Sequence, residues 1–273
     1  MNSRTRLMGI DFTSAPRKAK PITVAHGRLD GDAVMLESLM RVHDWHHFEA
    51  LLDEAGPWLA ALDFPFSLPR AGVEAMGWPA TSWVALISHL RTLSKAQFRA
   101  ALDADRESRP VGARYPHRAV DIPARSHSPM KLVNPPVGLM CFEGAPRLLA
   151  AGLSIPGVHA GDPTRVAVEA YPGLLARAVT SRSYKSDTRA KQTHERRIER
   201  ERILKALIDG TALPGLRLVA TDDDAQQLMD DGSGDLLDAS LALMQAGWCL
   251  ARAERNYGCP DDTDPLEGWI ATL

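Results

Sequence analysis

The chain has 273 residues, 45% hydrophobic and 24% charged, with a formal net charge of −2 from 32 basic and 34 acidic side chains. These values describe a folded chain of one large or two small domains, and they exclude a protein that binds nucleic acid by being basic over its whole surface. Cys141, Cys249 and Cys259 are odd in number and far apart, which excludes a disulfide framework and any metal-ligand spacing and fits a reducing cytoplasm.

Residues 1–6 carry two arginines with no apolar stretch behind them, so no signal peptide is expected. No apolar run long enough to span a membrane follows anywhere. Residues 6–14, 21–28 and 33–40 read as extended runs, and Leu29-Asp30-Gly31-Asp32 is the turn of a meander. A helix is predicted over 44–55, with Trp45, Phe48, Leu51 and Leu52 on one face. Residues 58–63 form a buried strand that Pro65 and Pro69 end.

Residues 70–107 read as helices with Trp78, Trp83, Leu86, Ile87, Leu90 and Leu93 as core candidates. Residues 108–137 alternate prolines with Arg114, His117, Arg118, Arg125, His127 and Lys131, the composition of a long ordered loop of functional kind. An apolar run at 137–142 and a helix over 145–152 follow. Next come a strand at 165–169 closed by Tyr171-Pro172, a charged helix at 187–209 and a short strand at 216–220. An acidic helix at 222–230 and a long apolar helix at 234–255 complete the chain. This order predicts one α/β domain over 1–273, a mixed sheet flanked by helices with an inserted helix and loop region around 70–137.

Four acidic motifs sit on apolar segments: Gly9-Ile10-Asp11, Leu62-Asp63-Phe64-Pro65, Val168-Glu169-Ala170-Tyr171-Pro172 and Asp235-Leu236-Leu237-Asp238-Ala239. A carboxylate buried beside a strand is costly unless compensated, and a set of them is what hard divalent cations require. Each has a plainer reading. Asp11 can open an Asp/Ser/Pro loop, Asp63 can accept backbone N–H groups before Pro65, and Glu169 can face solvent on a half-exposed strand. Asp235 and Asp238 share one helix face and suit the positive end of a helix dipole.

Residues 182–205 hold nine basic and four acidic side chains, a net of +5. They read either as a solvated helix or as one that tracks phosphates. The nine histidines show no metal-ligand spacing, although His43, His46 and His47 cluster, and neither a P-loop nor a G-x-G-x-x-G motif occurs.

Together with Asp63-Phe64-Pro65-Phe66-Ser67-Leu68-Pro69, Pro136-Val137-Gly138-Leu139-Met140, Tyr184-Lys185 and Glu267-Gly268-Trp269-Ile270, these motifs run in order through nearly the whole chain. In that set the chain resembles the domain-of-unknown-function family 429, described as predicted nucleases of the ribonuclease H-like fold. The wider superfamily includes Holliday-junction resolvases and ribonuclease H. The resemblance implies an acid on the first strand (Asp11), another on the fourth (Asp63) and more on the last helix (Asp235 and Asp238). Glu169 has no simple counterpart and is an extra ligand, an orienting group or a substrate contact.

The function expected from this resemblance is a Mg²⁺- or Mn²⁺-dependent nuclease acting on DNA or RNA by two-metal phosphodiester hydrolysis. Asp11, Asp63 and Asp238 are the expected metal ligands, with Asp235 or Glu169 assisting. Lys185, Arg189, Arg196 and Arg197 are expected to hold the nucleic-acid backbone, and the loop carrying Arg118 to close over it. A non-catalytic nucleic-acid or nucleotide-binding member of the fold and a small phosphate-ester hydrolase are the alternatives.

Overall fold

The three amino-terminal extended runs become strands β1 (Arg6–Asp11), β2 (Ile22–Asp30) and β3 (Ala33–Val42) of an antiparallel meander. Gly31, at φ +61°, supplies the left-handed turn residue between the second and third. This is a computed structural model describing residues 5–273. Residues 1–4, with the first of the two amino-terminal arginines, lie outside the described residues.

Helix α1 (Trp45–Leu52) starts where the Asp44 side chain accepts the His47 backbone N–H, an N-cap that satisfies a free donor. Strand β4 (Trp58–Asp63) follows, then α2 (Arg70–Ala75), α3 (Trp83–Leu90), α4 (Lys95–Ser108) and the single turn α5 (Asp121–Ala124). Next come α6 (Val137–Ala150), β5 (Leu153–Ser154), β6 (Asp162–Glu169) and α7 (Pro172–Val179). The chain ends with α8 (His194–Ile208), β7 (Arg217–Val219), α9 (Asp222–Asp230), α10 (Asp235–Leu250) and a carboxy-terminal segment of turns.

The seven strands lie in the order β5-β6-β4-β1-β2-β3-β7, and β2 alone runs against the others. Side chains alternate across a sheet, so the central strands feed two cores. Met8, Ile10, Ala60, Leu62 and Ala167 face α1, α3, α4 and α6. Leu7, Leu59, Ala61, Val166 and Val168 face α7, α8 and α10. The result is an α/β protein, a mixed sheet with helices on both faces.

Helix α10 lies directly on β1. A Cβ at Gly9 would fall 2.0 Å from the Ala239 carbonyl oxygen and 2.1 Å from the Leu243 nitrogen. Only glycine permits that approach, and it brings the acidic start of α10 to the end of β1.

Three expected elements differ in extent. The apolar run at 137–142 and the helix expected at 145–152 are one helix, α6, which continues through Pro146. Gly144 lets it rest on Phe64, whose ring a Cβ there would meet at 2.5 Å. The basic helix expected from 187 starts only at His194, because a short 3₁₀ turn at Arg189–Lys191 precedes it. The last helix stops at Leu250 rather than 255, with a separate 3₁₀ segment behind it. Among the described residues no helix is long and apolar enough to cross a membrane.

Candidate functional site

Parallel pairing in register sets Asp11 beside Asp63, the last residues of β1 and β4. Strand parity then decides which way they point. Asp11 follows Leu7 and Gly9, and Asp63 follows Leu59 and Ala61, so both belong to the sheet face covered by α10. The first turns of that helix add Asp235 and Asp238. The carboxyl ends of parallel strands are where α/β sheets open onto ligands, and here a cavity of about 770 Å³ opens, with Asp11, Asp63 and Asp235 in its wall.

The four acids are not equivalent. Asp238 is fully buried and accepts hydrogen bonds from the Tyr184 hydroxyl, at 2.5 Å, and from the Lys185 ammonium. Asp235 is paired with Lys20 at 3.0 Å, and Lys20 also reaches Asp187 at 2.7 Å. No side-chain hydrogen bond or ion pair among the described residues reaches Asp11 or Asp63. Burial, then the charges of Asp235 and Asp238, hold the Asp11 carboxyl well above the usual carboxylate range. Burial, then Asp238, pushes Asp63 up to about 7. Two cations therefore serve four carboxylates, and the unserved pair faces the cavity.

Lys185 reaches Asp238 from the rim, with 43% of its side chain exposed. Its approach depends on Gly234, where a Cβ would meet the lysine Cβ at 2.5 Å. Arg200 of α8 anchors the same loop, donating to the Tyr184 carbonyl at 2.7 Å and the Met229 carbonyl at 2.8 Å.

Glu169 lies across the sheet from this cluster. Its register partner is Leu62, and it shares parity with Ala167, so its side chain leaves on the other face. There it is buried against Arg118, which donates at 2.7 and 2.5 Å, and the Phe66 N–H, which donates at 2.9 Å. Arg118, 1% exposed, also binds Asp121 at 2.9 Å and the Glu267 carbonyl at 3.1 Å. The Glu267 carboxylate in turn accepts the backbone N–H groups of Arg70 and Ala119. Burial raises the Glu169 pKa and Arg118 opposes that shift.

The solvent-facing reading of Glu169 is therefore wrong, because its carboxylate is buried and paired with Arg118. The expected phosphate contact of Arg118 also differs, because its charge is committed to two buried carboxylates. This network ties the 109–136 loop and the carboxy-terminal segment to the cavity wall.

The chain matches no protein-family model, no curated protein and no solved structure.

Of the expected site residues, Asp11, Asp63, Asp235, Lys185, Glu169 and Arg118 line the cavity, and Asp238 sits directly behind Lys185. Arg189, Arg196 and Arg197 do not line it. Arg197 is tied to Glu201 and, at 3.0 Å, to Asp230. Sequence reasoning missed Lys20, one of several cations in a loop without regular pattern. It also missed Asp121, whose i+3 spacing from Arg118 was a usable signal.

As they stand, no three His, Cys, Asp or Glu side chains among the described residues converge on one metal-sized point. Lys185 and Lys20 hold two of the four carboxylates. The donor chemistry nevertheless fits a hard cation, since the set is all oxygen and Asp11 and Asp63 have no counter-charge of their own.

Proposed function

We propose that the protein is a divalent-cation-dependent phosphodiesterase of the ribonuclease H-like fold that hydrolyses nucleic acid. One observation carries the reading: two unneutralised carboxylates end adjacent parallel strands, opposite two more at the start of the helix packed on them. First-strand, fourth-strand and last-helix acids are the arrangement that the sequence resemblance implies.

Asp11, Asp63 and Asp238 would hold Mg²⁺ or Mn²⁺, with Asp235 assisting. Bound there, such ions activate a water and stabilise the leaving oxygen of a phosphodiester. The remaining groups position. Lys185 can exchange Asp238 for a phosphoryl oxygen, because its stem lies in the open rim and Arg200 fixes the backbone behind it. Glu169 and Arg118 hold the far wall rather than the reacting atoms.

A small phosphate-ester hydrolase is the second reading, and the position of the arginines favours it, since Arg189, Arg196 and Arg197 stand away from the cavity. The test is turnover of bis(p-nitrophenyl) phosphate and of labelled single- and double-stranded oligonucleotides with Mn²⁺, with Mg²⁺ and in chelator. Cleavage of an oligonucleotide only with a divalent cation is expected. Turnover of the aryl ester alone moves the assignment to the small-ester reading, and turnover in chelator, or of nothing, removes both.

A further inference from the structure

Another part of the cavity wall is built differently. Tyr171 lines the cavity and is held at both ends. Its backbone N–H donates to the buried Gln245 side chain at 3.0 Å, and its hydroxyl accepts from Arg177 Nη1 at 3.2 Å. The Arg177 guanidinium lies 5.0 Å from the ring centre and is itself fixed on the Ala124 carbonyl at 2.5 Å. Gly173 makes room for both, since a Cβ there would lie 3.0 Å from the Tyr171 Cζ and 2.9 Å from Arg177 Nη1. Val137 and Met140 line the same cavity and supply apolar surface.

An immobilised aromatic ring beside a carboxylate cluster is a surface on which a nucleobase stacks, and stacking is tolerant of base identity. The charges say how much nucleic acid reaches it. Six acidic and five basic side chains line the cavity. Four of the five, Lys20, Arg118, Lys185 and Arg182, are bound to acids. Among the described residues Arg177 alone of the five has no acidic partner, whereas tracking a polyanion needs many phosphate contacts. The volume, about 770 Å³, is that of a small-ligand pocket.

We infer that Tyr171, backed by Arg177, forms a nucleobase subsite, and that the site takes one or two unpaired nucleotides of a strand rather than a duplex. The inference rests on the phosphodiesterase reading for its chemistry, but the subsite itself binds a base without any metal ion.

The experiment measures binding of thymidine, adenosine and deoxyribose to the full chain in chelator, by calorimetry or by NMR shifts. Both nucleosides are expected to bind at least about tenfold more tightly than the sugar, as base stacking on an aromatic side chain implies. Tyr171→Ala should remove that difference, and Tyr171→Phe should keep it within about twofold. With Mn²⁺, kcat/KM for a dinucleotide should lie within about tenfold of that for a single-stranded 20-mer and exceed that for the 20-mer duplex.

Nucleosides that bind no better than deoxyribose overturn the subsite whatever the variants do. So does a duplex preferred over a single strand. Nucleoside binding without turnover of any phosphodiester would retain the subsite and remove the phosphodiesterase reading. Turnover without nucleoside binding would do the reverse.

Discussion

Asp63→Asn should abolish metal-dependent turnover and at the same time make the metal-free protein more stable at pH 8. Burial, then Asp238, raises the Asp63 pKa from 3.8 to about 7. Between those values the folded protein keeps a proton that the unfolded chain has lost, so stability falls as pH rises through the window and is level above it. The shift corresponds to at most about 4 kcal/mol, and to less where solvent in the cavity screens the carboxylate. Denaturation in chelator from pH 4 to 8 should show that decline in wild type and a shallower one in the variant. Asp11 contributes in the same direction, its pKa being raised by burial and by Asp235 and Asp238. Turnover should fall about 10³-fold, the scale of several kcal/mol of charge stabilisation. Equal slopes in the two proteins would mean that Asp63 is neutralised by something other than a proton, and retained turnover would take it out of the metal site.

Arg118→Met should cost about 3–5 kcal/mol, because it leaves Glu169 and Asp121 buried without their counter-charge. Urea denaturation at pH 7 measures it. The loss should shrink at low pH, where Glu169, whose pKa burial raises, takes up a proton. The triple replacement Arg118→Met, Asp121→Asn, Glu169→Gln should recover much of the stability, since a buried ion cluster replaced whole is often close to neutral. A cost under about 1 kcal/mol for Arg118→Met alone, the size of an exposed pair, would contradict a sealed network.

The legible part of this molecule is its local pattern. Alternation and turn residues reveal the meander, and the acidic strand ends are visible because Asp11 and Asp63 each interrupt an apolar run. Their adjacency follows from parallel pairing, which needs only the strand order. Glu169 shows where local reading stops. Its parity within β6 is readable, but the face that parity selects depends on registration with Leu62 of β4.

The arginines fail for a related reason. Helix α8 buries Ile203, Leu204 and Leu207 against the sheet, and that packing, not the charge run, decides where Arg196 and Arg197 point. Lys20 reaches Asp235 across more than two hundred residues, and no local rule links them. Pro146 and Gly144 look like a helix break, yet Gly144 is what lets α6 seat on Phe64.

The central claim is that Asp11, Asp63 and the start of α10 form a site for hard divalent cations. Calorimetric titration of Mn²⁺ into wild type and Asp11→Asn tests it most directly. About two ions bound by the wild type and lost in the variant are expected of a two-metal site. Absence of binding to the wild type at millimolar Mn²⁺, or identical binding by Asp11→Asn, would contradict it.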